Sequence, residues 1–306
     1  MSKKVKNKIR DGNIVASVIM YILAAFVIFI TLYPFYYVFI LSVSEPHHAL
    51  TMDVYTVPKG FNLGAYQVII RDAKMWRALF NTIMYVVTIT GLMLITSVLG
   101  AFPLTYKGLK GRKIINTYLL FTMFFSGGLI PTFLLILKLK MYNSPLALII
   151  PGCFSVWYII LVKSYFSNIP ETLREAAKID GANVYQILFR VYVPLSVPII
   201  AVIAVYSIVN TWNSWFSAMV YLPSVEWQPL QLFLRRILVE SQPPSGVLSS
   251  DAAKEMVARR LAYSQLKYAI IIFSSLPVIF TYPFFQKYFM KGVMLGSLKE
   301  RHGREN

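Results

Sequence analysis

Apolar positions do not alternate with polar ones along this chain; they run on without interruption. Stretches free of Asp, Glu, Lys and Arg cover residues 14–44, 78–106, 114–137, 141–162, 191–225 and 268–286. Each is near or above the roughly 20 residues that a helix needs to cross the hydrocarbon core of a bilayer. Lipid offers no partner for backbone N–H and C=O groups, so each run is expected to satisfy them internally, as helix. The pattern predicts an all-α, polytopic membrane protein with six transmembrane helices. The run at 14–44 follows Lys3, Lys4, Lys6, Lys8 and Arg10, which is the order of a signal peptide. It far exceeds the usual apolar core of about 7–15 residues and reads as a retained anchor helix.

Composition agrees with this solvent: 57% of the 306 residues are hydrophobic and 14% are charged, against about 25% charged in a soluble domain. Short loops rich in Lys and Arg stay in the cytoplasm. With the N-terminus inside, the cytoplasmic segments hold 18 of the 30 basic residues, and both termini are expected in the cytoplasm. The net charge of +17 reads as attraction to an anionic leaflet rather than as a nucleic-acid footprint. Cys153 is the single cysteine, so no disulfide forms within the chain. His47, His48 and His302 lack the Cys or spaced carboxylate partners of a metal site, and no metal is expected.

No Asp, Glu, His or Lys sits at the core of a span, where ion-coupled transporters and pumps place their relays. The phosphate-cradling pattern G-x-x-x-x-G-K-[ST] is missing, as is any nucleophile set or carboxylate pair, so no catalytic residue is assigned. An ion-coupled secondary transporter is the runner-up class, and these gaps count against it. The SGG at 126–128 reads as a small-residue surface for close helix packing inside one span. In the long loop 226–267, Ser250 is placed to cap a short helix carrying Ala253, Val257 and Leu261.

One segment between the fourth and fifth spans is different in kind. Asn168-Ile169-Pro170 makes a helix start, with proline tolerated in the first turn. Leu173, Ala176 and Ala177 then recur at i, i+3 and i+4, a narrow small-residue face. Gly181 ends this helix where a left-handed cap or tight turn is needed. A second helix from about Asn183 to Tyr192 carries Tyr185, Leu188 and Phe189 before Pro194 and Pro198 open the fifth span. A helix lying on lipid headgroups favours bulky apolar residues and basic flanks; an alanine face suits a protein groove.

The spacing Glu175-Ala176-Ala177, Gly181, Val191 and Pro194 resembles the EAA loop of ATP-binding cassette (ABC) importer permeases. The strict pattern closes on Ile-x-Leu-Pro, where this chain has Val191-Tyr192-Val193-Pro194. Asn210-Thr-Trp-Asn-Ser-Trp-Phe, FFSGGLIP at 124–131 and YPFFQKYFMKGVMLGSLK at 282–299 resemble carbohydrate-uptake permeases, particularly those of Gram-positive bacteria that handle oligosaccharides. The resemblance implies a type I importer permease fold, one transmembrane domain over 1–306 with its core module at about 78–290 and the EAA loop at 168–195. It also implies a bacterial plasma-membrane location. As partners it implies a second homologous permease, two cytoplasmic ATPase subunits, an extracellular substrate-binding lipoprotein, membrane lipid and a carbohydrate. ATP and Mg²⁺ would be bound by the ATPase subunits, leaving this chain without a cofactor or catalytic role. Glu175, Ala176, Ala177, Asp180 and Gly181 would then contact the ATPase. Asn210, Trp212, Asn213 and Trp215 combine amides that match sugar hydroxyls with indoles that stack on a pyranose, and are expected along the translocation pathway. An aromatic belt at the outer interface is the alternative for the two indoles, and a permease for a solute other than sugar is the alternative substrate class.

Overall fold

The computed structural model describes residues 3–240, 261 and 263–281, and these residues form helices joined by turns. They divide into two compact units, Met1–Arg71 with Ile237–Phe273, and Asp72–Arg236 with Ser274–Asn306.

In the first unit, α1 (Lys3–Ser42) carries the helix of the first apolar run back through the basic N-terminal residues. Ile19, Met20, Tyr21 and Ile22, about 100° apart around its axis, are all more than half exposed. A helix that is apolar all round and left uncovered has lipid as its solvent. Only its last turns find protein, where Ile40 and Leu41 are buried with Ala49, Val54 and Tyr268. The loop that follows contains two short helices, α2 (Pro46–Thr51) and α3 (Gly64–Arg71). Asp53 organises it, accepting from Lys59 Nζ at 3.1 Å and Thr51 Oγ1 at 3.0 Å, with His48 Nδ1 at 3.0 Å. The Lys59 hydrogen bond, then that of His48, holds the Asp53 carboxyl well below the usual carboxylate range. Gln265 Nε2 donates to the Ser42 carbonyl at 3.0 Å and the Asn62 carbonyl at 2.6 Å, closing the unit on buried backbone acceptors.

The second unit is built on α4 (Ala73–Thr105), whose first turn is capped by Asp72 Oδ1 accepting from Lys74 N at 2.8 Å. Then come α5 (Arg112–Phe124), α6 (Leu129–Lys138), α7 (Leu146–Gly152) and α8 (Val156–Phe166). Beyond these lie α9 (Glu171–Ile179), α10 (Val184–Ile187), α11 (Val193–Leu195) and α12 (Val197–Trp212). The described helices end with α13 (Phe216–Tyr221) in this unit and with α14 (Leu230–Glu240) and α15 (Tyr263–Thr281), each divided between the two units, at residues 236/237 and 273/274. α4 packs along both α8 and α12, and Thr90 and Ser207 share a buried hydroxyl–hydroxyl bond of 2.9 Å between α4 and α12.

The six apolar runs correspond to four helical stretches long and apolar enough to cross a membrane, Ala16–Ser42, Ala73–Thr105, Leu146–Phe166 (interrupted at residues 153–155) and Tyr263–Thr281, and to two bent pairs. The first pair corrects the reading of SGG as a packing surface within one span. Arg112–Phe124 and Leu129–Lys138 meet at 109°, and residues 125–128 are not helical. Gly128 sits at φ +84°, ψ −172°, a region open in practice to glycine alone, so the helix stops there. The second pair, Val184–Leu195 and Val197–Trp212, bends by 78° at Ser196, between Pro194 and Pro198, each of which removes a backbone donor. The short helix expected after Ser250 and the motif at 282–299 lie outside the described residues. The loop 226–267 holds a different helix, α14, that the sequence reading did not anticipate.

Candidate functional site

Residues 168–195 form a compact turn between membrane helices. Pro170 (φ −54°, ψ 132°) is the last extended residue and α9 begins at Glu171. A carboxylate in the first turn suits the positive end of the helix dipole. Glu171 Oε2 also accepts from Lys107 Nζ at 2.9 Å, the main cause that keeps its carboxyl below the usual range. Of α9, only Arg174 and Ala177 turn inward, and Ala177 packs against the cluster of Phe166, Ile187, Leu188 and Tyr192. Glu175, Ala176 and Asp180 are exposed, and Ile179 is 86% exposed. The face inferred from Leu173, Ala176 and Ala177 is therefore split, because Leu173 and Ala176 look outward while Ala177 is covered.

At the end of α9, Gly181 N–H donates to the Lys178 carbonyl at 3.0 Å and Ala182 N–H to the Ala177 carbonyl at 2.9 Å. With Gly181 at φ +80°, this is a Schellman turn, closed by the apolar contact of residues 177 and 182 with one cluster. The chain restarts at once: Asn183 Oδ1 accepts from Gln186 N at 2.9 Å while Gln186 Oε1 accepts from Asn183 N at 2.8 Å. This reciprocal cap opens α10, and a wider π-helical turn over Leu188–Tyr192 leads into α11. Leu188 is buried, whereas Tyr185 and Phe189 are more than half exposed.

Deeper in the same unit, α4, α6, α7, α8, α12 and α13 line an open cavity of about 440 Å³, within the range of small-molecule sites. Nine hydroxyl-bearing side chains line it: Tyr85, Thr132, Ser155, Tyr158, Ser207, Thr211, Ser214, Ser217 and Tyr221. Asn210 contributes the single amide side chain, and no acidic or basic side chain is present in the lining. Asn210 Nδ2 donates to the Tyr158 hydroxyl at 3.2 Å, which orients both groups across the cavity wall.

Among the four residues expected along the pathway, only Asn210 reaches this cavity. Trp212 is 5% exposed and donates its indole N–H to the Ser274 carbonyl at 3.1 Å. Two positions along a helix are about 200° apart around the axis, so Trp212 faces away from Asn210. Asn213 is exposed, and its side-chain amide donates at 2.9 Å to the Val209 carbonyl, which also accepts from the Asn213 backbone N–H at 3.1 Å. Trp215 is half-buried beneath the Arg235 guanidinium, which lies 3.5 Å from its ring centroid, a cation–π contact. Sequence reasoning passed over a signal that marks the cavity wall: Ser207, Asn210, Thr211 and Ser214 fall at i, i+3, i+4 and i+7 within an otherwise apolar run.

The segment after α13 is pinned to the start of α4 over this cavity. Asn81 Nδ2 donates to the carbonyls of Glu226 at 2.8 Å and Gln228 at 3.1 Å. The Tyr85 hydroxyl donates to the Trp227 carbonyl at 2.9 Å, and Leu230 N–H to Thr82 Oγ1 at 2.7 Å.

Comparison with known proteins gives this arrangement its context. The chain is 34% identical over 295 residues to the polygalacturonan/rhamnogalacturonan transport system permease protein YtcP of Bacillus subtilis (strain 168), covering 96% of this chain and 99% of the relative. The chain belongs to the carbohydrate-uptake ABC transporter permeases. It is thus the membrane-spanning permease subunit of an importer, a multi-pass protein of the cell membrane. It is also 27% identical over 286 residues to the inner membrane ABC transporter permease protein YcjP of Escherichia coli (strain K12), with 90% of this chain and 94% of the relative covered. The arabinooligosaccharides transport system permease protein AraQ of Halalkalibacterium halodurans is 25% identical, with the same coverage of each chain. Among solved structures, a chain of a bacterial ABC transporter involved in the import of the acidic polysaccharide alginate matches with a TM-score of 0.78 and 32% identity, over 94% of this permease and 99% of that chain. No protein-family model matches the chain.

Proposed function

We propose that this permease forms one half of the membrane pathway of an ATP-driven, binding-protein-dependent importer of an oligosaccharide. The reading rests on one observation above others: the cavity beside α12 carries nine hydroxyls and one amide among apolar side chains such as Ile89, Met93, Leu148 and Phe154, with no acidic or basic side chain. Such a wall exchanges hydrogen bonds with sugar hydroxyls and provides no ionisable relay for coupling to an ion gradient. The sugar polymers and oligosaccharides named for the relatives point to the same class. Both termini are placed in the cytoplasm, a second homologous permease completes the pore, and an extracellular lipoprotein delivers the sugar. Glu175, Ala176, Asp180 and the Gly181 turn dock into the ATPase subunits, which bind ATP and Mg²⁺; this chain is non-catalytic and holds no cofactor. Exposed Ile179 provides the apolar contact for that groove.

The test is reconstitution of the permease pair with its ATPase and binding protein in liposomes, followed by oligosaccharide-dependent ATP hydrolysis and uptake. Asn210→Ala is expected to reduce uptake with assembly intact, by the loss of one polar contact worth about 0.5–1.5 kcal/mol, and Asn213→Ala to have a smaller effect. Uptake driven by an ion gradient without ATP would overturn the reading.

A further inference from the structure

A second cavity, of about 350 Å³, lies where α4 ends against the loop containing α9 and α10. Its floor is apolar, formed by Phe102, Leu109, Val184 and Ile187, with the Tyr106 ring at one side. Two cations converge on that ring from one face of α9. The Arg174 guanidinium carbon is 4.5 Å and Lys178 Nζ 5.6 Å from its centroid.

Three features of this cavity lack a counterpart within the chain. First, like charges at i and i+4 on a helix repel, yet half-buried Arg174 and exposed Lys178 both line this cavity beside the same ring. Second, Arg174 has a side chain 12% exposed, and its Nε is buried without an acceptor, a cost of desolvation that native structures rarely leave unmet. Third, the available carboxylate is engaged elsewhere. Glu171 is held by Lys107 at 2.9 Å and comes only within 3.7 Å of Arg174 Nη2, and Lys178 has no carboxylate within ion-pair distance among the described residues. Each feature is relieved by an anion seated between Arg174 and Lys178 and carrying an apolar body that fills the floor.

We propose that the cavity binds an anionic phospholipid, its headgroup phosphate between Arg174 and Lys178 and the first part of its acyl chains on the apolar floor. The proposal takes from the function proposed above the placement of the 168–195 loop at the cytoplasmic surface, where α4 leaves the bilayer and anionic headgroups lie. The bound lipid cements α9 to the end of α4, so anionic lipid sets how firmly the ATPase-docking turn is held. Glu175, Ala176 and Ile179 face away from the cavity and stay open to the ATPase with the lipid in place.

The experiment uses the complete transporter in nanodiscs of phosphatidylcholine with stepped amounts of phosphatidylglycerol. Lipid retained after detergent extraction is read by native mass spectrometry, and binding-protein-stimulated ATP hydrolysis is read in parallel. Wild type is expected to retain phosphatidylglycerol over phosphatidylcholine and to hydrolyse ATP faster as it is added. Lys178→Gln should weaken retention about fivefold, the factor expected for one basic residue near an anionic leaflet, and Arg174→Gln more; Arg174→Lys should restore much of the preference. Equal retention in wild type and Lys178→Gln would overturn the lipid site, while ATP-dependent sugar uptake by the same transporter in sealed liposomes would leave the proposed function standing. Loss of the ATPase subunit from Lys178→Gln at every lipid composition would also overturn it, in favour of a direct ATPase contact. Full replacement of phosphatidylglycerol by soluble glycerol phosphate would do so in favour of a free anion.

Discussion

Replacement of Gly181 isolates backbone geometry from contact. The residue holds φ +80°, and a Cβ built there would meet no heavy atom within 4 Å. Steric crowding within this chain therefore contributes nothing to the cost of a substitution. What remains is the left-handed conformation itself, roughly 1–2 kcal/mol for an ordinary L-residue and more for a β-branched one. At tenfold per 1.4 kcal/mol, alanine would disfavour the turn by about fivefold to thirtyfold and valine by more. Asparagine, which visits this region more readily, would cost least. An opened turn loses the 3.0 Å and 2.9 Å hydrogen bonds from Gly181 and Ala182 and withdraws Ala177 and Ala182 from their shared cluster, so α9 no longer presents Glu175 and Ala176 in register. The expected order of ATPase retention during detergent co-purification, and of binding-protein-stimulated hydrolysis in liposomes, is Gly, Asn, Ala, Val. Membrane abundance should not change, because the spans do not depend on this turn. Full retention and normal stimulation in Gly181→Val would refute the coupling role. An Asn variant as poor as Val would show that added bulk at the docking surface, rather than φ, is what matters.

Other perturbations probe orientation and the two carboxylate and amide anchors. In a Cys153→Ser background, Thr56→Cys, exposed in the loop between α2 and α3, should react with a membrane-impermeant maleimide in intact cells; reaction only after lysis would reverse the assigned topology. Asn81, 3% exposed, supports two backbone carbonyls, so Asn81→Ala should lower thermal stability in detergent by about 1–3 kcal/mol. Arg77→Ala removes a 2.6 Å pair with Glu226 in which both side chains are 53% exposed, and should cost no more than about 1 kcal/mol; the reverse order would refute the assignment of the anchor to Asn81. Glu171 has a folded-state pKa below its ordinary value, so its pairing stabilises at and above the usual carboxylate range and is lost as pH falls through the lowered value. Glu171→Gln should flatten the acid limb of the melting-temperature profile, and an unchanged limb would count against the Lys107 pair.

The sequence alone determined the features enforced by solvent or by neighbouring residues. Six apolar runs are legible because a bilayer fixes both the length of a span and the need for internal hydrogen bonds. The Gly181 turn is legible for a similar reason: its φ is set by hydrogen bonds that reach back only three and five residues. Orientation of side chains within the bundle belongs to the tertiary structure. α12 is mostly apolar and its one polar stripe, Ser207, Asn210 and Thr211 with Ser214 just beyond its end, is short, so Asn210 and Trp212 read as equivalent members of one motif. Packing against α4 and α8 turned Asn210 towards Tyr158 and left Trp212 against the Ser274 carbonyl. The break at 125–128 and the 109° turn between α5 and α6 were likewise invisible to hydropathy, which counts apolar residues whether or not the helix continues through them. The cavity wall was assembled from residues 85 to 229, and a chain brings such distant positions together only once its helices have chosen their neighbours.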